Sequence, residues 1–323
     1  MKLGIIGGSG LYEMKALKDI QPIHVDTPFG PPSDAYFHGK LGSTDVFFLS
    51  RHGRGHRKLP SEINHRANIL GFKLLGVERV VGFSAVGSLR EDLRPRDIVI
   101  PDQYFDRTKQ SLEHTFFGRG IVAHVPFGEP VCAELRSLLH SITSTLMTQK
   151  KAYKGLQVRN GGTYVNMEGP AFSTKAESGV YRQLGFDVIG MTSLPEAKLC
   201  REAEICYANL SMVTDYDCWH ESAETVSIEM ILENLKANVT IAYDILADLI
   251  KTIKPAKKCK CGCALNNAIV TAPDAIPESA KAAVEPIIRK YVKCEHALAC
   301  SKPGRILSKL PRLEVQGRDA SEE

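Results

Sequence analysis

The stretch 205–213, Ile-Cys-Tyr-Ala-Asn-Leu-Ser-Met-Val, is apolar almost throughout and runs without a break into Thr214-Asp215-Tyr216-Asp217. In an α/β protein, ligands collect at the carboxyl ends of strands, so Asp215 and Asp217 stand where they could meet one. Two carboxylates one residue apart can hydrogen-bond the ring nitrogen and the exocyclic amine of a purine together. If one of them is protonated, it can donate to N7 and make the base a better leaving group. A second acid in an enclosed pocket raises the pKa of the first and makes that state available. Cleavage of a glycosidic bond is the chemistry this pattern suggests. The plain alternative is a pair of helix N-cap residues, a position aspartate favours.

Other motifs follow strands in the same way. Gly7-Gly8-Ser9-Gly10 comes directly after the first apolar run. Its glycines let backbone N–H groups converge on an anion, and the serine adds a donor. As a dinucleotide fingerprint it fails at the third glycine, where Glu13 stands; a tight turn is the simpler reading. Arg51-His52-Gly53-Arg54-Gly55-His56-Arg57 offers a guanidinium fork suited to phosphate with a histidine beside it, or else a solvated basic loop. Phe83-Ser84-Ala85-Val86-Gly87-Ser88 is a third glycine-bearing strand end. Three anion-compatible strand ends favour one phosphate site over three unrelated turns. In Met191-Thr192-Ser193-Leu194-Pro195-Glu196, Ser193 and Glu196 have capping-box spacing, while Thr192 offers a hydroxyl and Met191 a soft apolar surface. Glu168-Gly169-Pro170-Ala171-Phe172-Ser173 supplies an aromatic ring that could face a base or fill the core.

These motifs require a scaffold of strands feeding helices. Strands are expected at 3–7, 46–50, 79–84, 97–101, 164–168, 187–191 and 205–213, several of them continuous apolar runs suited to strands covered on both faces. Helices are expected at 61–75, 130–147, 174–184, 195–202, 228–253 and 277–293, with a capping box at Thr174 and Glu177. The pattern predicts an α/β fold: a single domain with a central mixed β-sheet flanked by helices over residues 1–293, including a cysteine-bearing loop at 254–276, and a disordered polar tail at 294–323. A formal charge of +4, evenly spread over 323 residues, argues against nucleic acid. No apolar run reaches the length of a membrane span, and the first residues leave no room for a signal peptide, so the expectation is a cytoplasmic protein. Nine cysteines without framework spacing argue against a disulfide scaffold. Cys259, Cys261 and Cys263 alternate, unlike the usual zinc spacing. Free thiols are expected there, with a metal or redox staple to Cys294, His296 and Cys300 as the alternative.

Taken together, Gly-Gly-Ser-Gly-Leu, Arg-His-Gly-Arg, Ser-Ala-Val-Gly-Ser-Leu-Arg-Glu, Met-Glu-Gly-Pro-Ala-Phe-Ser, Met-Thr-Ser-Leu-Pro-Glu and Thr-Asp-Tyr-Asp-Cys-Trp occur in an order that resembles the 5′-methylthioadenosine phosphorylases of the trimeric purine nucleoside phosphorylase group. The resemblance spans roughly residues 1–253 and, more loosely, the last helix. It implies phosphorolysis of 5′-methylthioadenosine to adenine and 5-methylthioribose 1-phosphate, with inorganic phosphate as co-substrate and no metal or organic cofactor. It implies a phosphate site of Ser9, Arg51, His52, Ser84, Ala85 and Thr192, Met191 against the ribose, and adenine held by Phe172, Ser173, Asp215 and Asp217. Val226, Ile228 and Ile231 would line a methylthio slot, and His124 would complete a neighbour's slot in a homotrimer. Relatives acting on 6-oxopurines typically carry Asn in the Met-Thr loop and lack the Asp-x-Asp pair. Here the loop carries Ser193 beside both aspartates, so adenine is favoured, and the short Ser193 side chain leaves breadth toward inosine or methylthioinosine as the alternative.

Overall fold

The computed structural model describes residues 1–8, 18–220, 228–255 and 259–292. In chain order its elements are β1 (Lys2–Gly7), β2 (Lys18–Ile23), β3 (Tyr36–Leu41), β4 (Thr44–Ser50), α1 (His65–Leu74), β5 (Arg79–Ser88), β6 (Ile98–Ile100), β7 (Gln103–Arg107), α2 (Ala133–Gln149), β8 (Val158–Asn160), β9 (Thr163–Met167), α3 (Lys175–Gln183), β10 (Val188–Gly190), α4 (Ser193–Glu202), β11 (Cys206–Asp215), α5 (Ile228–Thr252) and α6 (Glu278–Ile288). The strands form one mixed sheet, ordered β2-β3-β4-β1-β5-β10-β9-β7, with β11 on the other flank of β5 followed by β6 and β8. This is the single-domain α/β architecture the sequence predicts.

Both faces are covered. On one, α2 and α5 pack Leu135, Leu139, Ile241, Ile245 and Leu249 against Ile5, Phe83 and Leu210. On the other, α1, α4 and α6 bring Leu70, Phe72, Leu199, Val284 and Ile287 against Ile6, Val80 and Tyr207. The four-residue spacing of Ile241, Ile245 and Leu249 puts them on one side of α5. Burial of each such side chain favours folding by roughly 1.5–3 kcal/mol. Two helix starts are set locally. Asn64 accepts from the Ala67 N–H at 3.0 Å and begins α1 at His65 instead of near 61. Thr174 and Glu177 form the expected reciprocal capping box on α3.

The feature that shapes the site is the length of β5. It does not stop at Ser84 but continues to Ser88. On one flank β11 accompanies it from Arg79 to Gly87. On the other flank β1 pairs with Arg79 to Gly82, and β10 with Gly87 and Ser88. Residues 83–86 therefore have no strand beside them on that flank.

Candidate active site

Strand residues direct their backbone groups alternately to the two flanks. Val86 O lies 3.2 Å from the Thr214 hydroxyl of β11, whereas Phe83 O accepts from Arg51 on the other flank at 2.9 Å. Ala85 shares the parity of Phe83, so its N–H faces the opening where β1 has ended and β10 has not begun. Ala85 is exposed although it lies in the middle of a central strand.

Arg51 follows β4, which runs parallel to β1 and ends at the same level, Gly7 opposite Ser50. It is 2% exposed, so the solvated-loop reading does not hold for it. Its guanidinium is also not an open fork. Four of the five N–H groups are committed: Nε and Nη2 to the two oxygens of Glu196, the latter at 3.1 Å, Nη1 to Phe83 O, and Nη2 to Ile6 O at 3.4 Å. Glu196 is fully buried, and it does not cap α4; the N-cap is Thr192, without a side-chain cap bond. The capping box read at Ser193 and Glu196 is thus replaced by an ion pair to the residue that follows β4.

The same network claims Ser193. Its hydroxyl meets Tyr104 at 2.7 Å and Tyr207 at 3.1 Å, and Tyr207 donates to Glu196 at 2.8 Å. Ser193 is fully buried, so the substrate breadth inferred from its short side chain has no geometric basis. Gly82 makes room for this network: a Cβ there would lie 2.6 Å from the Tyr207 hydroxyl and 2.7 Å from Asn209 Oδ1.

His52 donates from Nδ1 to Lys58 O at 2.9 Å, because a carbonyl can only accept. Burial, with the Lys58 carbonyl opposing it and Arg51 reinforcing it, lowers its pKa to about 4. The neutral ring then presents Nε2 as an acceptor. Ser84 accepts from Asn209 Nδ2 at 2.7 Å, which leaves its O–H to donate elsewhere. The Tyr164 hydroxyl packs on Gly190 and lies beside Thr192, Ser84 and Arg51. Asn209, Tyr164 and Glu196 escaped the sequence reading. An amide within an apolar strand was the available signal for the first; the other two sit far along the chain from what they touch.

Asp215 and Asp217 leave β11 next to Gly87. A Cβ on Gly87 would stand 3.1 Å from Asp215 Oδ1, 3.2 Å from Ile189 and 3.3 Å from Asp217 Cβ. Asp215 accepts from the Thr214 hydroxyl at 2.7 Å. Its pKa is pushed up to about 6, chiefly by burial and also by the charge of Asp217. Asp217 is 7% exposed, its Oδ2 is buried without a hydrogen-bond partner among the described residues, and burial raises its pKa too. The next described helix begins only at Ile228, which leaves the cap reading without a helix among the described residues. Cys218 donates to Ser173 O at 3.2 Å, drawing the 168–173 loop to the aspartates. Gly169, at φ 73°, brings the same loop against Met191 Sδ. Phe172 is 69% exposed and is not a core ring.

His124 lies apart. It is exposed, on a segment whose Ala123 bridges to Ile269 and whose His124 N–H donates to Ala268 O at 2.9 Å. Ser9 and Val226 fall outside the described residues, as do Cys294, His296 and Cys300. Ile228 and Ile231 lie in α5, but their side chains are outside the description.

Residues 2–251 match the phosphorylase superfamily. An S-methyl-5′-thioadenosine phosphorylase of Koribacter versatilis (strain Ellin345) is 53% identical over 290 residues, covering 90% of this chain and 96% of that protein. Among solved structures, a methylthioadenosine phosphorylase from an antarctic soil metagenomic library superposes with a TM-score of 0.82 at 44% identity, covering 88% of this chain and 98% of the other. A variant of the adenosine/methylthioadenosine phosphorylase from Schistosoma mansoni, in complex with methylthioadenosine, gives a TM-score of 0.75 at 35% identity, covering 83% and 96%. The chain therefore belongs to the phosphorylase superfamily and, within it, to the family of the S-methyl-5′-thioadenosine phosphorylases.

Proposed function

We propose that this protein catalyses phosphorolysis of 5′-methylthioadenosine, releasing adenine and 5-methylthioribose 1-phosphate and so serving purine and methionine salvage. The observation that carries the reading is the pair of buried carboxyls with raised pKa values at the end of β11, beside an opening in the sheet edged by Ala85, in a chain about half identical to phosphorylases of that substrate.

The chemistry is a displacement at the anomeric carbon. The C1′–N9 bond breaks as a phosphate oxygen approaches C1′ from the other side, through a transition state with oxocarbenium character. Adenine leaves as the neutral base if a proton reaches N7. Asp217, whose Oδ2 has no hydrogen-bond partner among the described residues, is the donor in this reading, and Asp215 accepts from the exocyclic amine. Phosphate sits in the opening against the Ala85 N–H, the Ser84 hydroxyl, Thr192 and the remaining Arg51 N–H, with Ser9 closing the site. His52 Nε2 accepts the hydroxyl of monohydrogen phosphate, which orients the anion and keeps its charge toward the sugar. Since Glu196 offsets the charge of Arg51, phosphate meets a polar site more than a cationic one. Met191 faces the ribose, Phe172 and Ser173 flank the base, and Val226, Ile228 and Ile231 receive the methylthio group. Phosphorolysis needs no metal or organic cofactor.

The exposed segment bearing His124 suits a homotrimer in which that residue reaches a neighbour's slot; Val122 and Val270 beside it are exposed apolar residues. Seven free cysteines among the described residues suit the reducing cytoplasm. Among the described residues no helix is long and apolar enough to cross a membrane. The test is an assay of the purified protein with methylthioadenosine, with and without phosphate, following free adenine. Release that depends on phosphate is expected; release at the same rate without phosphate would point to hydrolysis instead. Inosine as competing substrate separates the adenine reading from a 6-oxopurine one, and slower turnover of adenosine is expected because the methylthio group is worth only about 1–3 kcal/mol.

A further inference from the structure

Four cysteines far apart in the chain meet on the face of the sheet covered by α2 and α5. Cys132 is the N-cap of α2, Cys206 opens β11, and Cys259 and Cys261 lie at the turn after α5. Their sulfurs all lie within 4.8 Å of one another, with Cys132 and Cys259 at 3.6 Å. Three of the four residues are buried. Cys263, the third member of the alternating run, is exposed and takes no part. The partners of Cys259 and Cys261 are therefore two cysteines that looked dispersed in the sequence.

We propose that these four thiolates bind one structural zinc ion. Zinc bound by four thiolates at about 2.3 Å places its sulfurs at the corners of a tetrahedron with edges of about 3.8 Å, which is the scale of this cluster. A disulfide would bring together one pair of sulfurs and has no need of four that all approach each other. The surroundings suit the charge of the complex. Binding releases four protons to solvent and leaves a net charge of −2, which needs compensation in a buried place. Arg79 supplies it. It sits opposite Cys206 in the sheet register, is 1% exposed, and lies within electrostatic reach of Cys132 and Cys206. Its Nη2 pairs with Glu134, but its Nε is buried without a hydrogen-bond partner among the described residues, and a metal-bound thiolate would give it one. The amino end of α2 adds its dipole at Cys132.

The ion would tie the turn at 259–263 to α2 and β11. Beyond that turn, Ala268 and Val270 hydrogen-bond the 122–124 segment, so the staple would also fix the strip of chain that carries His124. This inference does not rest on the phosphorolysis reading.

The experiment is metal analysis of the full-length protein, purified without chelator, beside Cys261→Ser, Cys132→Ser and the exposed control Cys263→Ser. About one zinc per chain is expected in the wild type and in Cys263→Ser, with loss of the metal in the other two. Cobalt exchange of the wild type should give intense sulfur-to-cobalt charge-transfer bands, a readout that stands if the core variants fail to fold. Titration with a mercurial should consume four thiols for each zinc released, forming four sulfur–mercury bonds, and should lower the melting temperature. Wild-type protein that holds no zinc after incubation with it and gives no cobalt–thiolate bands would overturn the proposal, whether its thiols are free or paired as disulfides.

Discussion

Arg51 and Glu196, separated by most of the chain's α/β units, form a fully buried ion pair beneath the opening in the sheet, with Phe83 O and Ile6 O taking further guanidinium protons. The pair holds the only stretch of β5 that lacks a strand neighbour on that flank, because Phe83 directs its carbonyl to Arg51 where a strand would otherwise have stood. A charge at such a position is tolerated only with its partner in place.

Replacing Glu196 with Gln should accordingly destabilise the protein by about 3–5 kcal/mol, the usual cost of leaving a buried charge unpaired. Added phosphate should raise the melting temperature of the variant more than that of the wild type, since the anion becomes the available partner for Arg51. Thermal melts at several phosphate concentrations decide it. Equal phosphate shifts in both proteins would separate the ion pair from the anion site.

Asp217→Asn should lower turnover by about 10²-fold or more, with the KM for phosphate little changed. Asp215→Asn should instead weaken the preference for 6-amino over 6-oxo purines. Steady-state kinetics with methylthioadenosine and methylthioinosine measure both. Wild-type turnover in the first variant, or an unaltered preference in the second, would take that residue out of its role.

Gly87→Ala tests how closely the acids are positioned. The added methyl meets Asp215 Oδ1, Ile189 and the Cβ of Asp217 at 3.1–3.3 Å, so either the strand or the carboxyls must shift by a few tenths of an ångström. A near-attack geometry is sensitive to displacements of this kind. We expect kcat/KM for the nucleoside to fall about tenfold or more while the fold survives, as read by circular dichroism alongside kinetics.

The raised pKa of Asp215 makes stability depend on pH. Between 3.8 and about 6 the folded protein holds a proton that the unfolded chain has released. This group therefore favours the folded state at the acid end, and its contribution is lost as pH rises through about 6. His52 acts in the opposite sense: with its pKa lowered to about 4 from 6.5, its contribution is present above 6.5 and is lost as pH falls toward 4. Urea midpoints across pH 3.8 to 6.5 in wild type, Asp215→Asn and His52→Gln should resolve the two slopes. Each variant should lack one of them.

Much of this fold was legible in the sequence, because strands covered on both faces are written as unbroken apolar runs; β1, β4, β10 and β11 fall close to where those runs lie. The strands that escaped carry polar residues and owe their pairing to distant partners: β2 and β3 at one edge, β7 at the end of the β10-β9 arm and the three-residue β8 beyond β11 and β6. Gly87 read as the end of a strand but lies inside one, where a small residue lets two carboxylates approach. Asp215, Asp217 and Arg51 announced themselves by residue type. Glu196 did not, since its spacing from Ser193 matches a helix cap and nothing local records its partner at Arg51. The convergence of Cys132 and Cys206 with Cys259 and Cys261 likewise exists only once β11 and α2 are packed.

The unpaired flank of β5 has a bearing on how such a protein can change over time. A peptide N–H at Ala85 is present whatever amino acid the gene specifies there, proline excepted. Affinity for the proposed anion in that gap would thus be a property of connectivity, insulated from most point substitutions, whereas preference for one base or one 5′ substituent would depend on replaceable groups around the rim. Drift in this lineage should alter which nucleoside is accepted well before it erases the capacity to hold the attacking oxyanion.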